Sequence, residues 1–282
     1  FHEGAGISLD PDVILYNNIE KRGSGRLYLS VDVEVTGNVT IADDCSMDMR
    51  TFKMECTAAD KTFTMGANTI FVSSVADTVP LTTTYAFPTG FDTYSVAETN
   101  RYYLNGNQNQ AILPGVTYGT VYLNEDVTKT VTLHGDLDVN GSFYINANGI
   151  TLNDNGFDLY LAGFDNDLRN YNPTSTITFD GAAAQRIYAG GAFDVVNLNN
   201  VIFNGGGGTT DMREPQYNIT GTLTIEANDT VYCNQNINFS GSTFTNNGVF
   251  NHAANRFVFN GEDQTINPGI NDFYNVQFNN RG

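Results

Sequence analysis

An all-β fold, a right-handed parallel β-helix (β-solenoid) built of tandem modules, is what this sequence predicts. Three observations lead there. The first is a phrase written three times. Leu104-Asn105-Gly106 leads through Gln110 to Ile112 and on to Val121-Tyr122-Leu123-Asn124. Phe179-Asp180-Gly181 leads through Gln185 to Ile187 and on to Val196-Asn197-Leu198-Asn199. Phe259-Asn260-Gly261 leads through Gln264 to Ile266 and on to Val276-Gln277-Phe278-Asn279. In each copy the closing Asn lies 20 positions after the opening apolar residue, and the copies start 75 and then 80 residues apart. A fixed period of this kind marks a repeat architecture. The second observation is alternation of apolar and polar residues in very short runs, the signature of strands. The third is the punctuation: Asn and Gly recur where corners need left-handed backbone or a side chain that bonds its neighbours.

The elements follow in order. Residues 1–77 read as a first module. Leu27, Leu29, Val31, Val33 and Val35 point one way and Tyr28, Ser30, Asp32 and Glu34 the other, with Val39 and Ile41 resuming after Thr36-Gly37-Asn38. Residues 78–100 break the rhythm with Pro80, Phe87-Pro88 and Gly90, and are expected to form an irregular loop projecting from the array. Residues 101–173 form a second module, with Val131 and Leu133, Leu137 and Val139, Phe143 and Ile145, and Leu159 and Leu161 as inward pairs. Residues 174–255 form a third, with Leu223 and Ile225, Ile237 and Phe239, and Phe244, and residues 256–282 begin a fourth. A smaller excursion is expected at 205–215. Tandem β-sandwich domains are the alternative, each needing about seven strands. The helix is preferred because the runs often hold only two inward positions and no linker parts the modules. Coils of about 20–25 residues suit these runs.

Composition narrows the role. The chain carries 13 Lys and Arg against 31 Asp and Glu, a net charge of −18, and only 16 % charged residues. Nucleic acid needs clustered basic residues and is excluded as a partner. No run reaches the 18 or so apolar residues of a membrane span, so no membrane insertion is expected. An acidic surface poor in lysine suits an extracellular setting. Cys45, Cys56 and Cys233 spell neither a disulfide framework nor a zinc site; Cys45 and Cys56 could pair if they stack on neighbouring turns, but separate burial is expected. The opening at Phe1 and the close partway through a repeat suggest a fragment of something longer.

The motifs offer more structure than chemistry. Asn105-Gly106, Asp180-Gly181 and Asn260-Gly261 are expected to supply turns with positive φ, and Gln110, Gln185 and Gln264 to tie down backbone groups at repeat corners. An amide is neither a base nor a nucleophile. Asp32 with Glu34 and Asp136 with Asp138 sit two apart on strands, so each pair shares an outward face. Such carboxylates could run glycoside hydrolysis, but outward strand positions must be polar in any case. Calcium is invited by acids near turns, at Asp10 and Asp12, Asp43 and Asp44, Asn153 to Asn155, and Asp165 to Asp167. None of these spells a known calcium loop, and no cofactor is expected. His2, His134 and His252 are isolated. Tyr94, Tyr102, Tyr103 and Tyr118 are candidate sugar platforms. Asn38, Asn218, Asn228 and Asn238 head sequons. The two excursions are where binding is expected, since loops on a rigid scaffold carry recognition.

The phrase Phe-Asn/Asp-Gly-x-x-x-Gln-x-Ile, followed by Gly135-Asp136-Leu137-Asp138-Val139 or Gly221-Thr222-Leu223-Thr224-Ile225, resembles repeat modules of very large Bacteroidota cell-surface proteins. These are exported by type IX secretion and include adhesins of gliding flavobacteria. The likeness covers about residues 101–282 well; over 5–60 it is looser, because the Gln corner is missing there. It implies a non-enzymatic, surface-displayed adhesin or stalk segment whose partners are neighbouring repeats, other copies of itself, or surface polysaccharide. It also implies O-glycosylation at Thr78 and Thr230, in Asp77-Thr78-Val79 and Asp229-Thr230-Val231. A self-assembling extracellular filament and a β-helical polysaccharide hydrolase or lyase are the alternatives.

Overall fold

Short strands of alternating sequence stack on their own neighbours because each can bury only one side and leaves its backbone groups unpaired. The computed structural model describes residues 7–9, 12, 14–77, 83–125, 127–171, 173–189, 195–214, 216–233, 235–269 and 273–279. In it the chain winds as a right-handed parallel β-solenoid with three faces per coil. The strands Thr209–Met212, Gln216–Ile219 and Thr222–Ile225 make one such coil, and Thr230–Cys233, Asn236–Phe239 and Thr243–Asn246 lie on them in register. Described strand pairs are parallel from Ile7–Ser8 to Phe273–Phe278. A sandwich would pair its strands antiparallel, so the alternative architecture is set aside.

The first face runs unbroken from Ile7–Ser8 to Val249–Phe259. That last strand turns a corner, pairing with Thr230–Cys233 at its start and with Asn236–Phe239 at its end. The second face includes Val33–Val35, Met54–Cys56, Gln110–Ile112 and Lys129–Leu133. The third holds Leu137–Val139, Leu159–Leu161, Thr176–Phe179 and Asn200–Phe203. This ladder crosses the position near 174 where two sequence modules meet. Inward residues of all three faces form one core, in which Leu27, Phe63, Val121, Leu161, Val201 and Phe239 are fully buried. Cys45, Cys56 and Cys233 are free thiols buried in it.

The segment 78–100 differs from its expected form. Residues 78–82 lie outside the described residues. From 83 on, the chain is drawn into the rod as part of a long coil instead of projecting from it. Tyr85 bridges to Ala111 and Thr89 to Glu55, and Thr93–Val96 pairs with Thr62–Met65 on the third face. Phe87 is 1 % exposed, its ring 5.2 Å from Phe63, 4.9 Å from Phe71 and 5.4 Å from Tyr118. The physical reason is burial: Phe87 and Phe91 each gain on the order of 2–3 kcal/mol inside the core. Within 205–214 the glycine corner and Arg213-Glu214 are irregular, but Thr209–Met212 between them is an ordinary strand of the first face.

Candidate functional site

The three repeat corners share one geometry. In each, a single carbonyl at the end of a strand in the preceding coil accepts both the Asn or Asp backbone N–H and the Gln side-chain amide. For Asn105 and Gln110 it is Ser73 O, at 2.8 and 3.2 Å. For Asp180 and Gln185 it is Leu161 O, at 3.2 and 2.6 Å. For Asn260 and Gln264 it is Phe239 O, both at 3.0 Å. The Gln amide then reaches a second carbonyl two residues further on, namely Val75, Gly163 and Gly241 respectively. A carbonyl has two lone pairs, and these corners use both. Gln185→Ala therefore leaves a buried carbonyl short of a donor and is expected to cost about 1–3 kcal/mol in urea unfolding.

The glycines of these corners need a correction. Gly106 has φ +129°, but Gly181 and Gly261 do not lie in the left-handed region. They are glycine because the previous coil comes close. A Cβ on Gly181 would sit 2.1 Å from Ala162 O, and one on Gly261 2.4 Å from Ser240 O. The three copies also occupy three different corners of the coil. Asn105 follows a first-face strand, Asp180 a third-face strand and Asn260 a second-face strand.

Two buried lysines do corner work that the sequence reading missed. Lys129 is 2 % exposed, and its Nζ donates to Leu104 O at 2.9 Å, Gly106 O at 3.0 Å and Gln110 Oε1 at 2.8 Å. Lys21, in the early coils without a Gln corner, is fully buried and donates to Arg22 O and Gly23 O. The signal was parity: each Lys stands two residues from an inward apolar residue, Val131 or Ile19. Burial pulls the Lys129 ammonium down to about 8 from an ordinary 10.5, with Glu125 opposing. The folded protein thus holds fewer protons than the unfolded chain between those values. The contribution of Lys129 to stability should be flat below about pH 8 and rise by roughly 3 kcal/mol toward pH 10.5. The difference in urea midpoint between wild type and Lys129→Met, followed over that range, isolates this group.

The expected carboxylate pairs face outward, and each bonds a neighbouring coil. Asp32 Oδ1 accepts from Lys53 N at 2.8 Å and Glu34 Oε1 from Thr57 Oγ1 at 2.7 Å. Glu34 is the register partner of Glu55. These residues, with Ile14, Val31 and Phe52, line a 660 Å³ groove on the second face, within the usual size of a small-ligand cleft. It offers apolar walls and adjacent carboxylates that can accept from hydroxyl groups. Asp136 Oδ1 accepts from Asp158 N at 3.0 Å, and Asp138 Oδ2 from Thr117 Oγ1 at 2.7 Å. These two, with Asp158 and Asp180, surround Tyr160. Burial first, then those four carboxylates, push its phenol up. Burial, with Asp138 beside it, also raises Asp180.

Acids proposed for calcium have protein partners instead. Asp43 Oδ1 accepts from Ala67 N, and Asp44 Oδ1 from Asn68 Nδ2. Asp154 is 1 % exposed and accepts from Gly156, Tyr171, Thr174 and Ser175. Asp165 pairs with Arg186, and Asp167 with Arg169. Asp10 lies outside the described residues. Among the described residues no three His, Cys, Asp or Glu side chains lie together as a metal site would need.

Burial removes Tyr102 and Tyr118 as sugar platforms. Tyr102 and Tyr118 are core residues stacked at 5.1 Å, their hydroxyls donating to Ala86 O and Leu113 O. Tyr94 is half-buried against Phe63, Phe87 and Phe91. Tyr103 faces outward, but its ring is stacked on Tyr122, and Tyr122 on Tyr144, at 4.5 and 4.8 Å. Thr230 is half-buried on a first-face strand beside Asp229, whose Oδ1 caps Gly207 N and Gly208 N. Thr78 lies outside the described residues. The chain matches no family model, no curated protein and no solved structure.

Proposed function

We propose that this chain is a non-enzymatic, extracellular segment of a surface adhesin or stalk, extending a rigid scaffold and presenting binding surfaces along it. One observation carries the reading: the parallel ladder of the first face passes without interruption from Ile7–Ser8 to Val249–Phe259. Rods of stacked coils depend only on nearest neighbours, so length can be added without redesigning the core. At about 4.8 Å per coil, the twelve strands of that face set a rod on the order of 50 Å long. The 660 Å³ groove beside Glu34 and Glu55 is the place where surface polysaccharide would bind. Antibody against the chain should label intact expressing cells, and deleting its coding segment should reduce their attachment. Labelling that appears only after permeabilisation sinks the proposal.

A second reading rests on Phe273–Phe278. Among the described residues its outer edge is unpaired, and Tyr274 and Phe278 are 66 % and 63 % exposed. A following coil of the same chain could pair there, and so could another copy, which would build a filament. A mass from light scattering that does not grow with concentration argues against the filament.

A further inference from the structure

The third face changes character along the rod. Near its middle it presents Asp138 and Tyr160, with Asp158 just before the strand Leu159–Leu161. Within the strands Thr176–Phe179, Asn200–Phe203, Thr222–Ile225, Thr243–Asn246 and Thr265–Asn267 no outward position is charged or aromatic. Charge returns only at their ends, with Asp180 and Glu226, and Asn200, Ile202 and Asn267 share the columns with threonine. Thr222 and Thr224 stand in register with Thr243 and Thr245, and Thr265 extends the first column. Such an uncharged stretch is a departure in a chain of net charge −18.

The spacing of this array is set by backbone. Side chains repeat at about 4.8 Å from coil to coil and about 6.7 Å along each strand. Threonine is branched at Cβ and held to few rotamers, so hydroxyls and methyls repeat at nearly fixed positions. Thr222 Oγ1 donates to Asn200 Oδ1 at 3.2 Å, which ties it further. Three tight glycines support the corner leading into these strands. A Cβ on Gly221, Gly241 or Gly261 would fall within 2.4 Å of a backbone or Asn oxygen of the preceding coil.

We propose that this face binds the surface of ice. With no charge in its strands the array offers no ionic attraction and suits a neutral partner, and the repeated hydroxyls and methyls select one whose own oxygens form a rigid lattice. A polysaccharide surface is answered by aromatic rings laid against sugar faces, and this array has none. Ordered water between the threonine ranks would join the array to the crystal, and the methyls would hold that water in place. The inference goes beyond the adhesin reading and does not depend on where the protein is displayed.

The test uses the full 282-residue chain in a nanolitre osmometer and in an ice-recrystallisation assay. The chain should arrest growth and shape the crystals. Thr224→Tyr and Thr245→Tyr should each weaken the effect by about tenfold or more. Thr40→Tyr, outward on the same face but remote from the array, should leave it unchanged. Circular dichroism identifies any variant that fails to fold, and Thr224→Ser, which removes only a surface methyl, provides a milder second variant with a smaller expected loss. Growth no slower than with an unrelated protein of equal charge overturns the proposal. So does full activity in both tyrosine variants, or retention on crystalline polysaccharide without any effect on ice.

Discussion

Gly181→Ala is expected to cost more than about 4 kcal/mol or to abolish folding, the range reserved for changes that a packed structure cannot absorb. Its Cβ would lie 2.1 Å from Ala162 O, a backbone atom of the previous coil. Neither strand can move without parting the ladder that Asp180 N and Gln185 Nε2 close on Leu161 O. Gly206 supplies the contrast. Its φ is +66° and nothing lies within 4 Å of a Cβ there, so Gly206→Ala meets only the left-handed penalty of about 1–2 kcal/mol. Thermal melts of the two variants separate the two reasons for glycine. Equal losses would mean that backbone conformation, not close approach, decides the corner at 181.

Asp154→Ala is the second large expectation, at about 3–5 kcal/mol. The carboxylate is the common acceptor for Tyr171 Oη at 3.0 Å, Thr174 N at 2.7 Å, and Ser175 N and Oγ at 3.2 and 2.9 Å. It also accepts from Gly156 N at 3.1 Å, so it binds a corner of one coil to the start of the next. Burial pushes this acid up, but the hydrogen bonds from Thr174, Gly156 and Ser175 outweigh it and hold it at about 2. The folded-state value lies below the ordinary 3.8, so the stabilisation is complete above about pH 4 and lost as pH falls toward 2. It amounts to about 2 kcal/mol. Asp154→Asn should flatten that part of the acid limb, as urea midpoints between pH 2 and pH 5 would show. An acid limb identical to wild type would contradict the assignment.

Much of the strand pattern was legible because parity is local. Leu27, Leu29, Val33 and Val35 are buried as their alternation requires, and Glu34 between the last two is exposed. Tyr102 and Tyr103 show what was readable and not used: Tyr102 shares the inward parity of Leu104, and Tyr103 takes the outward one. Lys21 and Lys129 likewise occupy inward positions, and their charge hid that from a reading by residue type. The burial of Phe87 could not be read locally. Pro88 and Gly90 break the alternation beside it, and its partners Phe63, Phe71 and Tyr118 come from other coils. The groove at Glu34 and Glu55 was equally hidden, because strands 21 residues apart form it and their register depends on coil length.

The sequence by itself determined that this chain is all-β, that it repeats, and that Asn or Asp, Gly and Gln return together. Period-two burial and turn chemistry act within a few residues, so they leave their mark there. Only the tertiary structure decided where each copy of the phrase sits and why its glycine is needed. Coils vary from 31 residues between Phe71 and Tyr102 to 19 between Tyr102 and Val121, so equal distances along the chain do not end on equal faces. The same Gln corner therefore closes three different corners of the rod, each fixed by a carbonyl of the coil before it.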